Sequence, residues 1–577
     1  MTERFASGFH PFVIPFLAGM VFVLAVCLLK GAVVVGQLSK EDRRKWALSF
    51  LNPRVLIKDA FDIVFDCLVH VRLWKRNRLL GFMHSSIAFG WFMIILLGHV
   101  EVLFYFPSRL STFYYPIFFD YFVEGGQHTL LSLASDAFLL LIIAGICLAI
   151  VKRFRSRLFG MRRTTRPSFF NLIGQYSLWA IFPLRLIAEQ CARAGDLTVA
   201  PWWAYSIALC TFMVVLPFTR YLHIPAEMLL VTFRNAGVGI TRPHKGMARL
   251  QADSCPNCGV CLDACPMNAD RANLKDSTVY LTRQLRRGNE LRVNEISDKC
   301  MLCGKCTSVC QVGVDGPKLR ILARASRKYS INQDFSHIDT SGYEPDWASG
   351  KILYFSGCMS QLTPEIGRSV ESVLQKSGVK YEWMDRDGGL CCGRPLHTAG
   401  RLKEAAELRR KNEEIIRKSG AHTLLVSCPI CYREFSESYD LHGTSVAFYT
   451  DYFKWMMDSG LFSLEKSDTC YVYHDPCELG RGCGIYDSPR SLVSKAAAIA
   501  EAPKNRSESV CCGGSLGSLS LDFEHREKIT LASLDNLYAS NADAIATACP
   551  LCLATFSRYS DRPVKDIAQI VNEQIKQ

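Results

Sequence analysis

The sequence has no apolar run of twenty or more residues after about position 230, so any membrane-spanning segment lies in the first part of the chain. Two nucleotide-binding patterns are also missing, because there is no G-x-G-x-x-G loop after a predicted strand and no Walker A sequence. Nothing therefore predicts that the chain binds its own flavin, nicotinamide or nucleotide phosphate. No A-x-A site follows the first apolar run, which we interpret as a membrane span and not as a signal peptide.

The net charge of +13 is typical of some nucleic-acid-binding proteins, but its location argues against that class. Residues 1–250 hold 27 Lys and Arg against 13 Asp and Glu, whereas the rest of the chain holds 40 against 41. The basic excess lies in short loops between apolar runs, and no basic patch is interleaved with aromatic residues. We therefore expect no nucleic-acid partner.

The 25 cysteines are the strongest compositional signal in this 577-residue chain. Twenty of them lie after residue 254, mostly in C-x-x-C and C-C groups, and the other five are scattered through the apolar part. Dense, closely spaced thiols in a large chain favour metal binding in a reducing compartment over a disulfide framework.

Five membrane spans are predicted, at residues 11–36, 79–106, 129–151, 169–191 and 201–222, each long enough to cross about 30 Å of hydrocarbon. The loops at 37–78 and 152–166 carry ten and seven Lys or Arg, so we expect them to face the cytoplasm. That orientation puts the N-terminus outside and the cysteine-rich half inside. The protein is thus predicted to be a multi-pass protein of the inner, cytoplasmic membrane.

Two histidines lie at the same predicted depth, His84 near the cytoplasmic start of span two and His223 at the cytoplasmic end of span five. A haem with two imidazole ligands needs such a pair on different helices, and ionisable groups within a membrane are usually functional. We predict that His84 and His223 bind haem. The alternative is a pair of interfacial histidines that bond to carbonyls or lipid head groups.

A second pair of histidines, His99 and His128, lies at the outer side of spans two and three. The same outer half holds Asp136 and an i,i+4 pair, Arg185 and Glu189. These residues suggest either a second haem at His99 and His128 or a quinone pocket.

The apolar segment resembles the cytochrome b subunits of the nitrate reductase gamma type. The likeness rests on Arg78-x5-His84-x5-Gly90 in span two and Pro217-x5-His223 at the end of span five. It implies a helical bundle that holds haem b. Members with two haems carry two further histidines, at positions that are Ile94 and Tyr205 here, so His99 and His128 would be substitutes for them.

Two runs of the bacterial ferredoxin type follow a basic linker: Cys255-x2-Cys258-x2-Cys261-x3-Cys265-Pro and Cys300-x2-Cys303-x2-Cys306-x3-Cys310. In such runs three thiolates bind one cubane 4Fe-4S cluster and the fourth binds its partner. We therefore predict one cluster on Cys255, Cys258, Cys261 and Cys310, and another on Cys300, Cys303, Cys306 and Cys265. Zinc is the alternative metal, but paired runs of this spacing favour iron–sulfur.

A five-cysteine motif occurs twice in the last 230 residues. The first copy consists of Cys358, Cys391, Cys392, Cys428 and Cys431, and the second of Cys477, Cys511, Cys512, Cys549 and Cys552. Each copy begins after a β-rich run and carries a helical stretch after a Cys-Cys-Gly turn, which predicts two similar α/β lobes, each with its own core. Five thiols exceed the needs of one cubane, so we expect an open cluster that a substrate can reach.

The motif is that of the CCG domains found in heterodisulfide reductase, the iron–sulfur subunit of glycolate oxidase and membrane-bound electron-transfer-flavoprotein:menaquinone oxidoreductases. The flanks His474-Asp-Pro-Cys477-Glu-Leu-Gly-Arg481 and Cys391-Cys-Gly-Arg-Pro-Leu396 also resemble this family. The resemblance implies noncubane 4Fe-4S clusters at one or both copies, with their ten cysteines as the catalytic residues.

The predicted architecture is multidomain. It comprises an all-α five-helix transmembrane cytochrome b bundle at 1–233, a basic linker at 234–252 and an α-rich 2x4Fe-4S ferredoxin domain at 253–325. A linker at 326–348 and two α/β CCG lobes at 349–465 and 466–577 follow.

The leading functional hypothesis is a quinone-linked oxidoreductase that passes electrons from a soluble partner, electron-transfer flavoprotein, through its clusters and haem b to menaquinone. The direction could be reversed, with quinol reducing a disulfide substrate at a noncubane cluster. A third hypothesis is a non-catalytic relay subunit of a larger complex, although a relay needs only cubanes.

Overall fold

The computed structural model describes residues 10–105, 114–118, 122–123, 127–128, 130–161, 165–193, 199–268, 274–327, 352–388, 390–514 and 516–576. The predicted linker at 326–348 lies outside these residues, except for its first two positions. The chain divides into two compact units. The first consists of Met1–Asp263, Leu285–Gly288 and Cys310–Val314, and the second consists of Ala264–Gln284, Asn289–Val309 and Asp315–Gln577.

The first unit is helical and contains five long helices: α1 (Ile14–Gly36), α2 (Arg78–Tyr105), α3 (Leu130–Phe154), α4 (Phe169–Arg193) and α5 (Ala200–Val215). Helix α2 packs on α3, and α5 packs on both α4 and α1. Their facing sides form an apolar core, whereas large side chains such as Leu28 and Phe104 are exposed. Within the described residues, four helices are long and apolar enough to cross a membrane: Pro11–Gly36, Arg78–Phe104, Leu133–Phe154 and Ala200–Phe218. An apolar surface of this kind indicates association with a membrane.

The predicted span at 169–191 forms a helix, but α4 is not among the four that are apolar enough. A buried ion pair on α4 joins Arg185 to Glu189 at 2.5 Å, and Arg185 also donates to the carbonyl oxygen of Ile117 at 2.8 Å. Charged side chains that pair within the bundle are compatible with a membrane environment. The count of five spans stays a prediction.

Shorter elements complete the first unit. They are helices Lys40–Ser49, Pro53–Asp62, Val71–Arg76, Tyr115–Phe118, His223–Asn235 and Met247–Asp253, a π-helical turn at Ile63–Leu68, and the strands β1 (Phe122–Val123) and β2 (Gln127–His128). Two of these helices begin at polar caps, because Ser39 accepts from the backbone N–H of Asp42 and Asn52 accepts from that of Arg54. Two 3-10 turns, Leu216–Phe218 and Arg220–Leu222, follow α5 and end the predicted fifth span.

The ferredoxin segment is short and helical, and its residues are divided between the two units. Its helices are Val260–Ala264, Thr278–Arg287, Glu290–Asp298, Lys305–Ser308 and Gly316–Ala325. The last of these carries two buried guanidinium groups. Arg320 donates to the hydroxyl of Thr278 and the carbonyl of Asp276, and Arg324 donates to the carbonyl of Thr398. These bonds satisfy buried carbonyl groups that would otherwise be costly to bury.

Each CCG lobe contains a four-stranded parallel sheet. The first has the order β4-β3-β5-β6, from Ile352–Phe355 (β3), Glu382–Trp383 (β4), Thr423–Val426 (β5) and Ser445–Phe448 (β6). The second has the order β8-β7-β9-β10, from Cys470–His474 (β7), Ala498–Ala500 (β8), Ala544–Thr547 (β9) and Val564–Asp566 (β10). Because the two orders are the same, the structure confirms the predicted duplication of an α/β lobe.

Helices cover both sheets, as parallel strands require. The longer ones are Pro364–Lys376, Leu402–Ser419, Pro429–Ser438 and Tyr449–Asp458 in the first lobe, and Asp487–Ala496, Phe523–Tyr538, Pro550–Tyr559 and Ile567–Gln574 in the second. Each lobe has an apolar cluster of its own. A third and larger cluster draws on both lobes, including Tyr354 and Phe453 of the first and Tyr473 and Ile567 of the second.

A polar contact also joins the two lobes within the second unit. Tyr449 donates to the carboxylate of Asp566 at 2.6 Å, and both side chains are buried. The expectation of two separate cores was therefore incomplete, since the lobes share their largest one.

Candidate metal centres

The first predicted cubane set lies wholly within the first unit. Cys310 lies close enough to Cys255 and Cys258 to interact with them electrostatically, and burial raises the pKa of Cys310 to about 12. Arg286 donates to the carbonyls of Ala252 and Cys255 and so fixes the start of the first ferredoxin run. The structure thus brings the distant cysteine to the run with which the sequence paired it.

The second predicted set lies wholly within the second unit, around a cavity lined by Cys265, Cys300, Cys303 and Cys306. Burial raises the pKa of Cys306 to about 11, although the guanidinium of Arg320 lies nearby. A cavity walled by four thiols has the donor set that a cubane 4Fe-4S cluster requires. The grouping agrees with the prediction that Cys265 and Cys310 each bind the cluster of the other run. The ligand assignments themselves stay predictions.

In the first CCG lobe the five cysteines lie at the carboxyl ends of the strands. Cys358 follows β3, and Cys428 is the N-cap residue of the helix that follows β5. The sulfur atoms of Cys358 and Cys391 lie 3.7 Å apart, and the Cys392 thiol lies close enough to those of Cys391 and Cys431 to change its pKa. Because Cys431 likewise interacts with Cys428, the five thiols form one continuous group.

The second lobe repeats this arrangement with its own five cysteines. Cys512 lies 3.2 Å from Cys552, measured between sulfur atoms. The Cys511 thiol lies close enough to those of Cys477 and Cys512 to interact with them, and Cys552 interacts in the same way with Cys549. Each lobe therefore collects the five thiols that the sequence predicted for it.

The second cysteine of the Cys-Cys pair is the one most easily ionised in both lobes. Burial raises the pKa of Cys392, but hydrogen bonds from Cys391 and Cys431 outweigh it and bring this pKa down to about 7. Hydrogen bonds from Cys511 and Cys552 likewise hold the pKa of Cys512 well below its usual range. A thiolate is the form that binds metal, so these two positions are prepared for ligation in the same way.

A glycine follows each Cys-Cys pair in the left-handed region of backbone space, Gly393 with φ +83° and Gly513 with φ +90°. A β-carbon at Gly513 would lie 2.2 Å from the hydroxyl oxygen of Thr530, whereas at Gly393 its nearest neighbour, Leu408, is 3.4 Å away. Gly513 therefore needs both a left-handed backbone and the absence of a side chain, whereas Gly393 needs only the left-handed backbone.

Replacing these glycines by alanine should have unequal effects. Gly393→Ala should destabilise the protein by about 1–2 kcal/mol through backbone strain. Gly513→Ala adds a clash of about 1–3 kcal/mol and should also displace Cys512. Thermal denaturation of the purified protein, with iron and sulfide analysis, measures both. Equal effects of the two variants would contradict the packing argument.

The second cubane set and the second CCG lobe meet where Cys303 packs against the cluster that contains Cys511. The Cys511 thiol, with the nearby cations Arg481 and Lys305, lowers the pKa of Cys303 to about 6. Arg481 donates to the carbonyl of Cys303 at 2.7 Å and to that of Ser509 at 2.8 Å. A half-buried guanidinium thus lies where the thiols of two predicted clusters approach each other.

A cavity in the second unit opens onto the cysteines of the second lobe. Its walls include Cys477, Cys512, Cys549 and Cys552, and the first lobe contributes Arg394. Arg394 is buried and pairs with Glu434 at 3.1 Å and with Glu478 at 3.3 Å. Burial raises the pKa of Glu434, but His397 and Arg394 donate hydrogen bonds to its carboxylate and outweigh that effect. Together they lower the pKa of Glu434 to about 2. The cavity therefore has thiols on one side and a charge network on the other.

In the first unit the structure gathers the two histidines predicted to bind haem. His84 and His223 lie close enough to interact electrostatically. The Nδ1 atom of His223 lies 2.6 Å from the carbonyl oxygen of Arg220, so that Nδ1–H donates and Nε2 stays available for a metal. These side chains fit an axial role toward haem.

A third imidazole, His70, joins this pair and was not predicted. The backbone of His70 is left-handed, with φ +55°. One residue separates His70 from the π-helical turn, which ends at Leu68. The centroid of its ring lies 5.5 Å from that of His84. Nδ1 of His70 lies 3.0 Å from the carbonyl oxygen of Leu68. No sequence period indicates this position, because it depends on an irregular bend of the chain.

The outer histidine pair stays a prediction. His99 is exposed on α2, and its Nδ1 lies 2.7 Å from the carbonyl oxygen of Ile95 one turn earlier. His128 belongs to β2, and its side chain lies outside the described residues. Tyr205 lies on α5 and donates to the carbonyl oxygen of Ile117 at 3.2 Å.

Comparison with known proteins identifies the cysteine-rich regions. Residues 352–436 and 471–557 match the family model described as cysteine-rich domain, and residues 251–314 match the 4Fe-4S dicluster domain. An uncharacterised iron–sulfur protein of Methanococcus maripaludis is 25% identical over 309 residues, which are 52% of this chain and 55% of that protein.

Several relatives carry functional names, of which two are described here. One is a component of the dihydromethanophenazine:CoB–CoM heterodisulfide reductase of Methanosarcina barkeri, 28% identical over 239 residues, which are 38% of this chain and 58% of that relative. The EtfAB:quinone oxidoreductase of Syntrophomonas wolfei is 27% identical over 217 residues, 35% of this chain and 30% of that enzyme. The chain thus spans little more than half the length of the first relatives it matches. These findings confirm the predicted resemblance to iron–sulfur oxidoreductases with CCG and 4Fe-4S domains.

Proposed function

We propose that this iron–sulfur oxidoreductase, of the heterodisulfide reductase and EtfAB:quinone oxidoreductase type, transfers electrons between a cytoplasmic partner and the menaquinone pool. Reduced electron-transfer flavoprotein is the proposed donor, and haem b in the membrane bundle is the proposed exit toward menaquinone. The EtfAB:quinone oxidoreductase among the relatives supports this choice of partner. The four apolar helices support a membrane acceptor.

One observation carries the proposal: Cys303 of a predicted cubane set packs against the cluster that contains Cys511 of the second CCG lobe. Iron–sulfur clusters and haem, when bound, supply one-electron transfer. A thiol of the ferredoxin segment in contact with a CCG thiol therefore gives electrons a short route between two centres of the second unit. A binding module that did not exchange electrons would have no need of this contact.

The residues around this contact suit a site whose charge changes during turnover. Arg481 lies among Cys303, Cys477 and Cys511, and these thiols raise its pKa. Lys305 bonds to Glu508 at 2.9 Å, and burial lowers the pKa of Lys305 to about 8. A guanidinium stays protonated at every physiological pH, so Arg481 would hold a constant positive charge beside an additional electron.

The membrane part of the proposal makes a separate prediction. His84→Ala and His223→Ala should each remove the haem b absorbance from reduced-minus-oxidised spectra of membranes, because each deletes an axial nitrogen. His99→Ala, at an exposed position of the same helix as His84, should leave that haem in place. An unchanged haem b signal in both the His84 and His223 variants would contradict the proposed ligands.

A second candidate function is the quinol-dependent reduction of a disulfide, such as the heterodisulfide of the relative from Methanosarcina. The cavity beside Cys477, Cys512 and Cys552 favours it, because thiols of the second motif line its wall.

One assay separates the two functions. The purified full chain is supplied with reduced electron-transfer flavoprotein and a menaquinone analogue, and in parallel with the quinol and the CoB–CoM heterodisulfide. The proposal expects quinone reduction in the first assay and no thiol release in the second. The opposite result would establish the disulfide reductase. Activity in neither assay would favour a relay protein that needs further partners.

A further inference from the structure

The two CCG lobes differ at the residue that lies three positions before their first cysteine. In the first lobe this residue is Phe355, the last residue of β3, and in the second it is His474, the last residue of β7. Both are buried. Because the strands occupy the same place in two sheets of the same order, the two rings are structurally equivalent.

The packing of the two rings supports this equivalence. Phe355 meets Phe435 edge to face, with ring centroids 5.1 Å apart and an interplanar angle of 84°. His474 meets Phe556 in the same way, at 4.7 Å and 85°. Phe435 and Phe556 each stand four residues after the last cysteine of their motif. The second lobe has therefore exchanged a phenyl ring for an imidazole without changing its surroundings.

The exchange brings ring nitrogen atoms to the metal-binding thiols. One nitrogen of His474 and the sulfur atoms of Cys512 and Cys552 all lie within 4.8 Å of one another, and all three residues are buried. Ligands of one tetrahedral metal atom, with metal–sulfur bonds of about 2.3 Å and metal–nitrogen bonds of about 2.0 Å, lie about 3.5–4 Å apart. The three groups are thus within reach of a single metal atom.

We propose that His474 is a metal ligand of the second CCG lobe, sharing one metal atom with Cys512 and Cys552. The lobe would then hold a mixed thiolate and imidazole centre, whereas the first lobe would hold a centre with thiolates alone. This inference rests on the proposed function only in taking that metal to be an iron of a cluster. A neutral nitrogen ligand makes the reduced state of an iron–sulfur centre easier to reach, as histidine ligands do in Rieske centres.

The assignment gives the two lobes different roles. A centre with an imidazole ligand should have the higher reduction potential, so electrons should collect in the second lobe. That lobe is also the one whose Cys511 belongs to the cluster against which Cys303 of the ferredoxin segment packs. The first lobe would then be the side at lower potential.

The variant His474→Phe tests the assignment, because phenylalanine is the residue that the first lobe already accommodates at this place. The full chain is purified anaerobically with [15N]histidine, and pulsed electron paramagnetic resonance is recorded on its iron–sulfur signals. The wild type should show a strongly coupled nitrogen, and His474→Phe should lose it and shift the midpoint potential of that signal downward. Phe556→Leu, which alters the ring packing but keeps the imidazole, should retain the coupling.

The outcomes separate this inference from the proposed function. If the second lobe holds zinc without sulfide, and His474→Phe loses that zinc, the ligand role stands while the cluster is refuted. The absence of a coupled nitrogen in a wild type that holds iron and sulfide overturns the assignment. Equal metal content, spectra and potentials in the wild type and His474→Phe also overturn it.

Discussion

Replacing Cys392 and Cys512 together by serine should stop electron exchange with the soluble partner. Each is the second cysteine of a Cys-Cys pair, and each is the thiol that its neighbours hold most readily as thiolate. Loss of a group that only hydrogen-bonds to a metal ligand already lowers activity by about 10–100-fold. Loss of a ligand itself from both lobes should therefore reduce the rate of electron exchange by more than about 100-fold. Stopped-flow mixing of the variant with reduced electron-transfer flavoprotein measures this rate.

The same variant should keep its ferredoxin segment working. Chemically reduced cubanes should still pass electrons to the haem, because Cys392 and Cys512 belong to neither cubane set. Cys470→Ser provides the matched control. Cys470 begins β7, at the opposite end of the strand from His474, and lies outside both motifs. Wild-type exchange in the double variant would mean that the CCG lobes are not the port for the partner.

Replacing Cys258 or Cys303 by serine should abolish transfer from every donor, including dithionite. Each variant removes one thiolate from a predicted cubane set, and a relay fails when either of its centres is lost. Cys303 also packs against the cluster that contains Cys511, so Cys303→Ser should disturb the second lobe as well. Iron and sulfide analysis should show about one cubane fewer per chain, together with loss of haem reduction.

Cys147→Ser is the control for the cubane variants, because Cys147 is an exposed thiol on α3 outside every motif. It should keep full iron content and haem reduction. If every donor still reduced the haem of Cys303→Ser, electrons would bypass the second ferredoxin site.

The cysteine sets could be predicted because their spacing is local. A C-x2-C-x2-C-x3-C run predicts three ligands for one cluster and a fourth for its partner, and a Cys-Cys-Gly turn before a helix recurs in both copies. The duplicated order of the two sheets follows from the repeat for the same reason. Four of the five predicted spans coincide with helices that are apolar enough to cross a membrane.

Other features could not be predicted because they join distant segments. Cys303 and Cys511 are about two hundred residues apart, and no pattern in either run indicates their contact. The apolar core shared by the two lobes also leaves no local signal, because each lobe alone shows ordinary strand and helix periods. His474 was visible in the sequence, but only the comparison of its place with that of Phe355 shows that an imidazole has replaced a phenyl ring.

We propose that electrons pass from the CCG lobes through the ferredoxin segment to haem and menaquinone. The decisive experiment mixes the purified full chain anaerobically with reduced electron-transfer flavoprotein and follows haem b and menaquinol together. Haem b should be reduced first, and menaquinol should then form in proportion to the flavoprotein oxidised. Oxidation of the flavoprotein with no haem reduction and no menaquinol, in protein with full iron, sulfide and haem content, would contradict it.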